Sequence, residues 1–133
     1  MIRKFLATRF PAVGWTIFIF ILLALPGSML PKEEKFSIPN FDKYIHITLF
    51  AVFVVLWSYY YVSKPGISKS IFIKFLIISM LYGTAMEFVQ KYFIPGRDFD
   101  LYDILADIIG ALAGYLFVLL FVVPRKAVNE YKK

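Results

Sequence analysis

The 133-residue chain contains no cysteine. A disulfide framework, a thiol nucleophile and a cysteine-ligated metal are therefore excluded. Charge is also scarce: 18% of the residues are charged, with nine acids against fifteen bases and a net charge of +6. What fills the space is apolar, since 60% of the residues are hydrophobic, 20% are aromatic and the mean hydropathy is +0.71. A soluble domain is closer to half apolar. A disordered tail and an ordinary soluble enzyme are excluded by the same figures. The basic balance leaves two uses open, nucleic acid or the cytoplasmic loops of a membrane protein, and the placement of the charges decides between them.

Crossing the hydrocarbon core takes roughly 20 mainly apolar residues. Four stretches reach that length: 11–30, 44–62, 71–93 and 101–123. Pro26-Gly27 breaks the first near its end. The connections carry Pro31, Pro39 and Asn40, then Pro65-Gly66, then Pro95-Gly96. Proline lacks an amide donor and glycine tolerates turn angles, so these pairs end helices. Arg3, Lys4 and Arg9 ahead of an apolar run resemble a signal peptide, but no small-x-small pair follows and Pro26 occupies the place of a cleavage site. The expectation is a retained first helix. The expected fold is an all-α integral membrane bundle of four transmembrane helices in two hairpins, one membrane domain over residues 1–133.

Orientation follows from Lys and Arg near the helix ends. With the N-terminus inside, the inner side holds Arg3, Lys4, Arg9, Lys64, Lys69, Lys74, Arg125, Lys126, Lys132 and Lys133. The outer side holds only Lys32, Lys35, Lys43, Lys91 and Arg97. The acids lean further: Glu130 alone lies inside, while Glu33, Glu34, Asp42, Glu87, Asp98, Asp100, Asp103 and Asp107 lie toward the outside. Both termini are thus expected in the cytoplasm. Trp15, Trp57 and Tyr59-Tyr60-Tyr61 fall near the inner interface and read as an aromatic belt. The bases form neither a stripe nor a DNA-binding motif, which removes nucleic acid as a partner and leaves anionic lipid as their use.

Charges inside a span are unfavourable, from about 2.5 kcal/mol each at a helix centre. Here they share one end. Asp42 and His46 are four apart on the second stretch; Gly83, Glu87 and Gln90 form a stripe on the third; Asp100, Asp103, Asp107, Gly110 and Gly114 form a seam on the fourth. Glu87 lies roughly 9 Å below the outer end of its helix, and Asp107 lies at a similar depth. Their carboxyls are expected to meet, with one protonated or a cation between them. Lys43, His46, Lys91 and Arg97 are the partners at hand. Asp42 and Asp100 have an alternative use as helix caps, and Asp103 as a complement to a helix N-terminus; none of these explains Glu87. Below the acids, Ala106, Gly110 and Gly114 make a small-residue seam, read as packing between helices of one chain in preference to homodimerisation. F-D-x-Y recurs at Phe41–Tyr44 and Phe99–Tyr102, compatible with two parallel hairpin repeats.

The segments FDKYIHITLF (41–50), GTAMEFVQKYFIPGRDFD (83–100) and LYDILADIIGALAG (101–114) resemble the VanZ-like family of small bacterial membrane proteins. Asp42, Lys43 and His46 match its D-K-x-x-H. Glu87, Gln90, Pro95 and Arg97 match its E-x-x-Q and P-x-R, and Asp103, Gly110 and Gly114 match its last motif. Asp107 departs from it, standing where that family usually has Asn. The resemblance implies a role in the cell envelope, linked to tolerance of teicoplanin-type glycopeptides, without supplying a reaction. The candidate ligand-binding pocket is Asp42, Lys43, His46, Glu87, Gln90, Arg97, Asp103 and Asp107.

Three function classes follow. The first is a binding protein whose outward acidic pocket takes a lipid-linked envelope precursor or a cationic lipoglycopeptide. The second is an enzyme or hard-cation site built on the carboxylates and His46. Against it, HExxH, a nucleophile elbow and a phosphate loop are all missing, and no motif implies a cofactor. The third is an accessory subunit or homo-oligomer that packs through the GxxxG seam.

Overall fold

The computed structural model describes residues 5–29, 39–64 and 70–123. Expectations placed on Arg3, Lys4, Pro31, Pro65-Gly66, Lys69 and the basic C-terminal segment lie outside those residues. The described residues are helical, with no strand among them: α1 (Phe10–Leu23), a short 3-10 turn (Gly27–Met29), α2 (Phe41–Val62), α3 (Ser70–Phe93) and α4 (Leu101–Phe117). The turn after α4, Val118–Val122, continues it with wider i→i+5 hydrogen bonding.

Each boundary has a local cause. Pro11 sits in the first turn of α1, where its missing amide is no loss. The helix stops at Leu23 because Leu25 precedes Pro26 and is pushed out of the α region. Asn40 opens α2 from a left-handed conformation (φ 56°), which asparagine tolerates better than most residues. Asp100 caps α4 from an extended conformation, its Oδ1 accepting from the Tyr102 amide at 2.8 Å. Gly96 takes a positive φ of 71° in the turn between α3 and α4.

Three helices are long and apolar enough to cross a membrane: α2, α3, and α4 with its continuation to Val122. The first predicted stretch contributes less helix than its apolar run. At 14 residues α1 is about 21 Å long, against a hydrocarbon core of about 30 Å. Only 33–39% of the apolar stretch of each long helix is buried, so much of their apolar surface faces outward, as at Ile73, Ile77 and Leu81 on α3 and Leu116 and Leu120 at the end of α4. Apolar residues on both the inner and the outer faces are the mark of a helix bathed in lipid.

Helix α4 packs most extensively on α2, then on α3, and α1 leans mainly on α2. The α2–α4 contact is close because of two glycines. A Cβ on Gly110 would strike the Ile47 carbonyl and stand 2.8 Å from the Ile47 Cα; one on Gly114 would strike the Ala51 carbonyl and stand 3.0 Å from the Ala51 Cα. The small-residue seam is therefore used within the chain. Beside it lies a core of Ile19, Leu23, Leu49, Phe50, Phe53, Val54, Met86 and Ala111.

The tryptophans do something that a belt does not require. Trp15 Nε1 donates to the Leu49 carbonyl at 2.9 Å, and Trp57 Nε1 to Thr16 Oγ1 at 3.1 Å. Tyr82 donates its hydroxyl to the Thr16 carbonyl at 3.0 Å. These bonds fasten α1 to α2 and α3, while the Trp57 ring stacks on Phe75. At the opposite end, the Gly27 amide donates to the Pro95 carbonyl at 3.2 Å, so the turn after α1 rests on the turn between α3 and α4. These contacts close the end where the acids lie.

Candidate functional site

All six acids among the described residues, Asp42, Glu87, Asp98, Asp100, Asp103 and Asp107, lie toward one end of the bundle. That end is made by the N-termini of α2 and α4 and the C-termini of α1 and α3. The other end carries Arg9, Lys64 and Lys74. Antiparallel helices explain this, because α2 and α4 begin where α1 and α3 finish.

The acidic end has two tiers. In the upper one, Lys43 is the centre. Its ammonium Nζ donates to Asp42 Oδ2 at 2.7 Å, to Asp103 Oδ1 at 2.6 Å and to the Asp100 carboxylate. Lys43 thereby joins the first turn of α2 to the first turn of α4. The adjacent ammonium holds the Asp100 carboxyl below its usual range; burial opposes it, and the Tyr102 amide adds a smaller lowering.

The lower tier is buried. His46 Nδ1 lies 2.8 Å from Asp107 Oδ1, and His46 Nε2 lies 3.8 Å from Asp103 Oδ2. The first is a hydrogen bond, and the second is too long for one. Glu87 is fully buried, and its Oε2 accepts from the Asp100 backbone amide at 2.9 Å. This is a capping interaction supplied by another helix, since that amide precedes the first turn of α4. Glu87 Oε1 and Asp107 Oδ2 are buried with no hydrogen-bond partner among the described residues. Gly83 makes room for Asp107: a Cβ there would stand 2.8 Å from the Asp107 Cγ.

The imidazole of His46 is what Glu87 and Asp107 share. His46, Glu87 and Asp103 each offer one ligand atom within 4.8 Å of the other two, and so do Asp42, Asp100 and Asp103. The second set already encloses the Lys43 ammonium.

Two predicted site residues stand apart. Gln90 is fully buried and donates from Nε2 to the Leu23 carbonyl at 2.9 Å, satisfying an end carbonyl of α1. The Arg97 side chain makes no hydrogen bond or ion pair among the described residues. Lys91, the other partner considered, lies over the rings of Tyr92 and Phe99 at 5.4 and 5.7 Å. Asp100 belongs to the upper tier as well as capping its helix, a double use that its spacing from Asp103 hints at. Asp42 is the second residue of α2, whereas Asp100 is the cap of α4, so the two F-D-x-Y segments enter their helices out of register.

An open groove of about 760 Å³ runs between α2 and α4 beside the upper tier. Asn40, Asp42, Lys43 and Asp100 form its polar head. Ile47, Ala106 and Ile109 line its apolar length, with Tyr44, Tyr102 and Leu105 along it. Tyr44, Tyr102 and Ile109 are all more than half exposed, so the groove opens on the lipid-facing surface. Nothing in residue spacing announces it, because its lining comes from two helices that only tertiary packing brings together.

Residues 9–122 match the VanZ/LLP1 family. An uncharacterized protein of the yeast Schizosaccharomyces pombe is 29% identical over 103 residues, which span 77% of this chain and 62% of the relative. The likeness reaches a eukaryote and so carries no bacterial envelope with it. No solved structure matches. The matched region takes in all four helices and both tiers of the polar end, and the chain belongs to the VanZ/LLP1 family.

Proposed function

We propose that this protein is a multi-pass protein of a bacterial cytoplasmic membrane that binds an acylated envelope ligand at its outer face. In this reading α1 is a short fourth span beside the three long ones, and both termini are cytoplasmic. The bias of bases to one end and acids to the other supports that orientation. The ligand class is a lipid-linked envelope precursor or a lipoglycopeptide of the teicoplanin type, which connects the binding to glycopeptide tolerance.

The observation that carries the reading is the amphipathic groove between α2 and α4. Its apolar length faces the bilayer and suits an acyl chain, held there by van der Waals packing along Ile47, Ala106 and Ile109, since a chain already in lipid gains nothing from leaving water. Its head carries Asp42, Asp100 and the neighbouring Asp103 around the single cation Lys43, an excess of negative charge that favours a cationic or hydroxyl-rich head. The accessory-subunit reading loses its main contact, because Gly110 and Gly114 are spent on α2.

The test is thermal unfolding of the full chain in lipid nanodiscs. A teicoplanin-type lipoglycopeptide is expected to raise the midpoint progressively as its concentration rises, and a glycopeptide lacking the acyl chain to leave it unchanged. Equal shifts from both, or none from either and none from a lipid-linked precursor, would overturn the proposal.

A further inference from the structure

The lower tier holds more carboxylate than its cations can match. Lys43 is engaged by Asp42, Asp100 and one oxygen of Asp103, and neither Lys91 nor Arg97 reaches the tier. Glu87, Asp107 and the second oxygen of Asp103 are left around one imidazole. Buried carboxylates stay ionised only when paired, hydrogen-bonded or bound to a metal.

The imidazole is held in the orientation a metal ligand needs. In the neutral ring whose Nδ1 proton goes to Asp107 Oδ1, the lone pair is on Nε2. His46 Nε2 lies 3.8 Å from Asp103 Oδ2, an ion pair when the ring is protonated and, in that neutral tautomer, a span that two ligands of one ion can take. Glu87 adds the third donor, and its Oε1 is buried without a partner. The three donors, already within 4.8 Å of one another, need about an ångström of closure to meet a zinc ion, whose ligands sit about 2.0–2.2 Å from the metal. Gly83 leaves the space that Asp107 occupies while it supports the ring.

We propose that His46, Glu87 and Asp103 ligate a divalent first-row transition-metal cation, zinc or manganese, with Asp107 as the positioning residue for the imidazole. One nitrogen and two carboxylate oxygens suit these ions better than an all-oxygen calcium site. Three protein ligands leave the ion an open coordination position. The inference does not depend on amphiphile binding, because these donors lie below the groove and outside its lining.

The test uses the full chain in detergent, purified without a histidine tag, stripped by a chelator and dialysed against micromolar zinc or manganese. Metal content is read by mass spectrometry and folding by circular dichroism. Wild type is expected to hold one ion per chain. His46→Gln and Glu87→Gln are expected to load roughly tenfold less or lower, in the range seen for loss of metal-site groups. Asp98→Asn, an exposed acid at the same end, is expected to load like wild type. Wild type without a stoichiometric ion of either metal would overturn the proposal even if a variant fails to fold. Equal loading of wild type and both folded variants would also overturn it, as an adventitious ion only.

Discussion

Lys43 shows how one side chain organises the acidic end. An ammonium shared by three carboxylates on two helices is held in place by each of them, so the entropy lost in fixing it is spread over several bonds. Asp100 is the most informative member to titrate. Its folded pKa lies below the ordinary value of 3.8, so its contribution to stability is fully present above that value and is lost as the pH falls through the folded pKa. The thermal midpoint of wild type in detergent is therefore expected to drop more steeply below pH 4 than that of Asp100→Asn. Identical profiles would show that the carboxyl gains nothing from Lys43. Glu87 illustrates a different logic. Its charge type and position were legible as an acid too deep to be a local cap, but its action on the Asp100 amide depends on how the α3–α4 turn folds back, which spacing does not encode.

At the scale of elements, α2 and α4 form the pair on which everything else is laid. Gly110 and Gly114 permit the approach, and the approach brings Lys43 to Asp103 and His46 to Asp107. Gly110→Val is expected to force the helices apart against the Ile47 backbone, where no flexible side chain can yield. The expected loss is near the upper end of the 1–3 kcal/mol typical of overpacking, with the thermal midpoint in detergent as the readout. A midpoint unchanged from wild type would mean that the seam is not in contact. The three long helices were legible from hydropathy to within a few residues, because Pro95-Gly96 and Asp100 mark their turns in the sequence. The break in the first stretch at Pro26-Gly27 was legible too, but the helix already ends at Leu23, so α1 is shorter than the span of 11–30 that hydropathy suggested. The tryptophans were read by depth alone, whereas their indole N–H groups find partners on neighbouring helices that only tertiary packing supplies.

The whole molecule is polarised along its helix axes. Apolar surface surrounds it, and all six acids among the described residues gather at one end, around Lys43 and His46, while Arg9, Lys64 and Lys74 lie at the other. Family membership rests on the match over residues 9–122, and the proposed binding of an acylated ligand on the groove that opens beside the acidic end. The most direct measurement is native mass spectrometry of the protein ejected from its own membrane. Wild type is expected to carry one acylated ligand per chain. Ile109→Trp, which fills the groove from its exposed wall, is expected to lose it, while Ile77→Trp on the lipid-facing side of α3 is expected to keep it. A bare wild-type protein, or an adduct retained equally by both variants, would contradict the account.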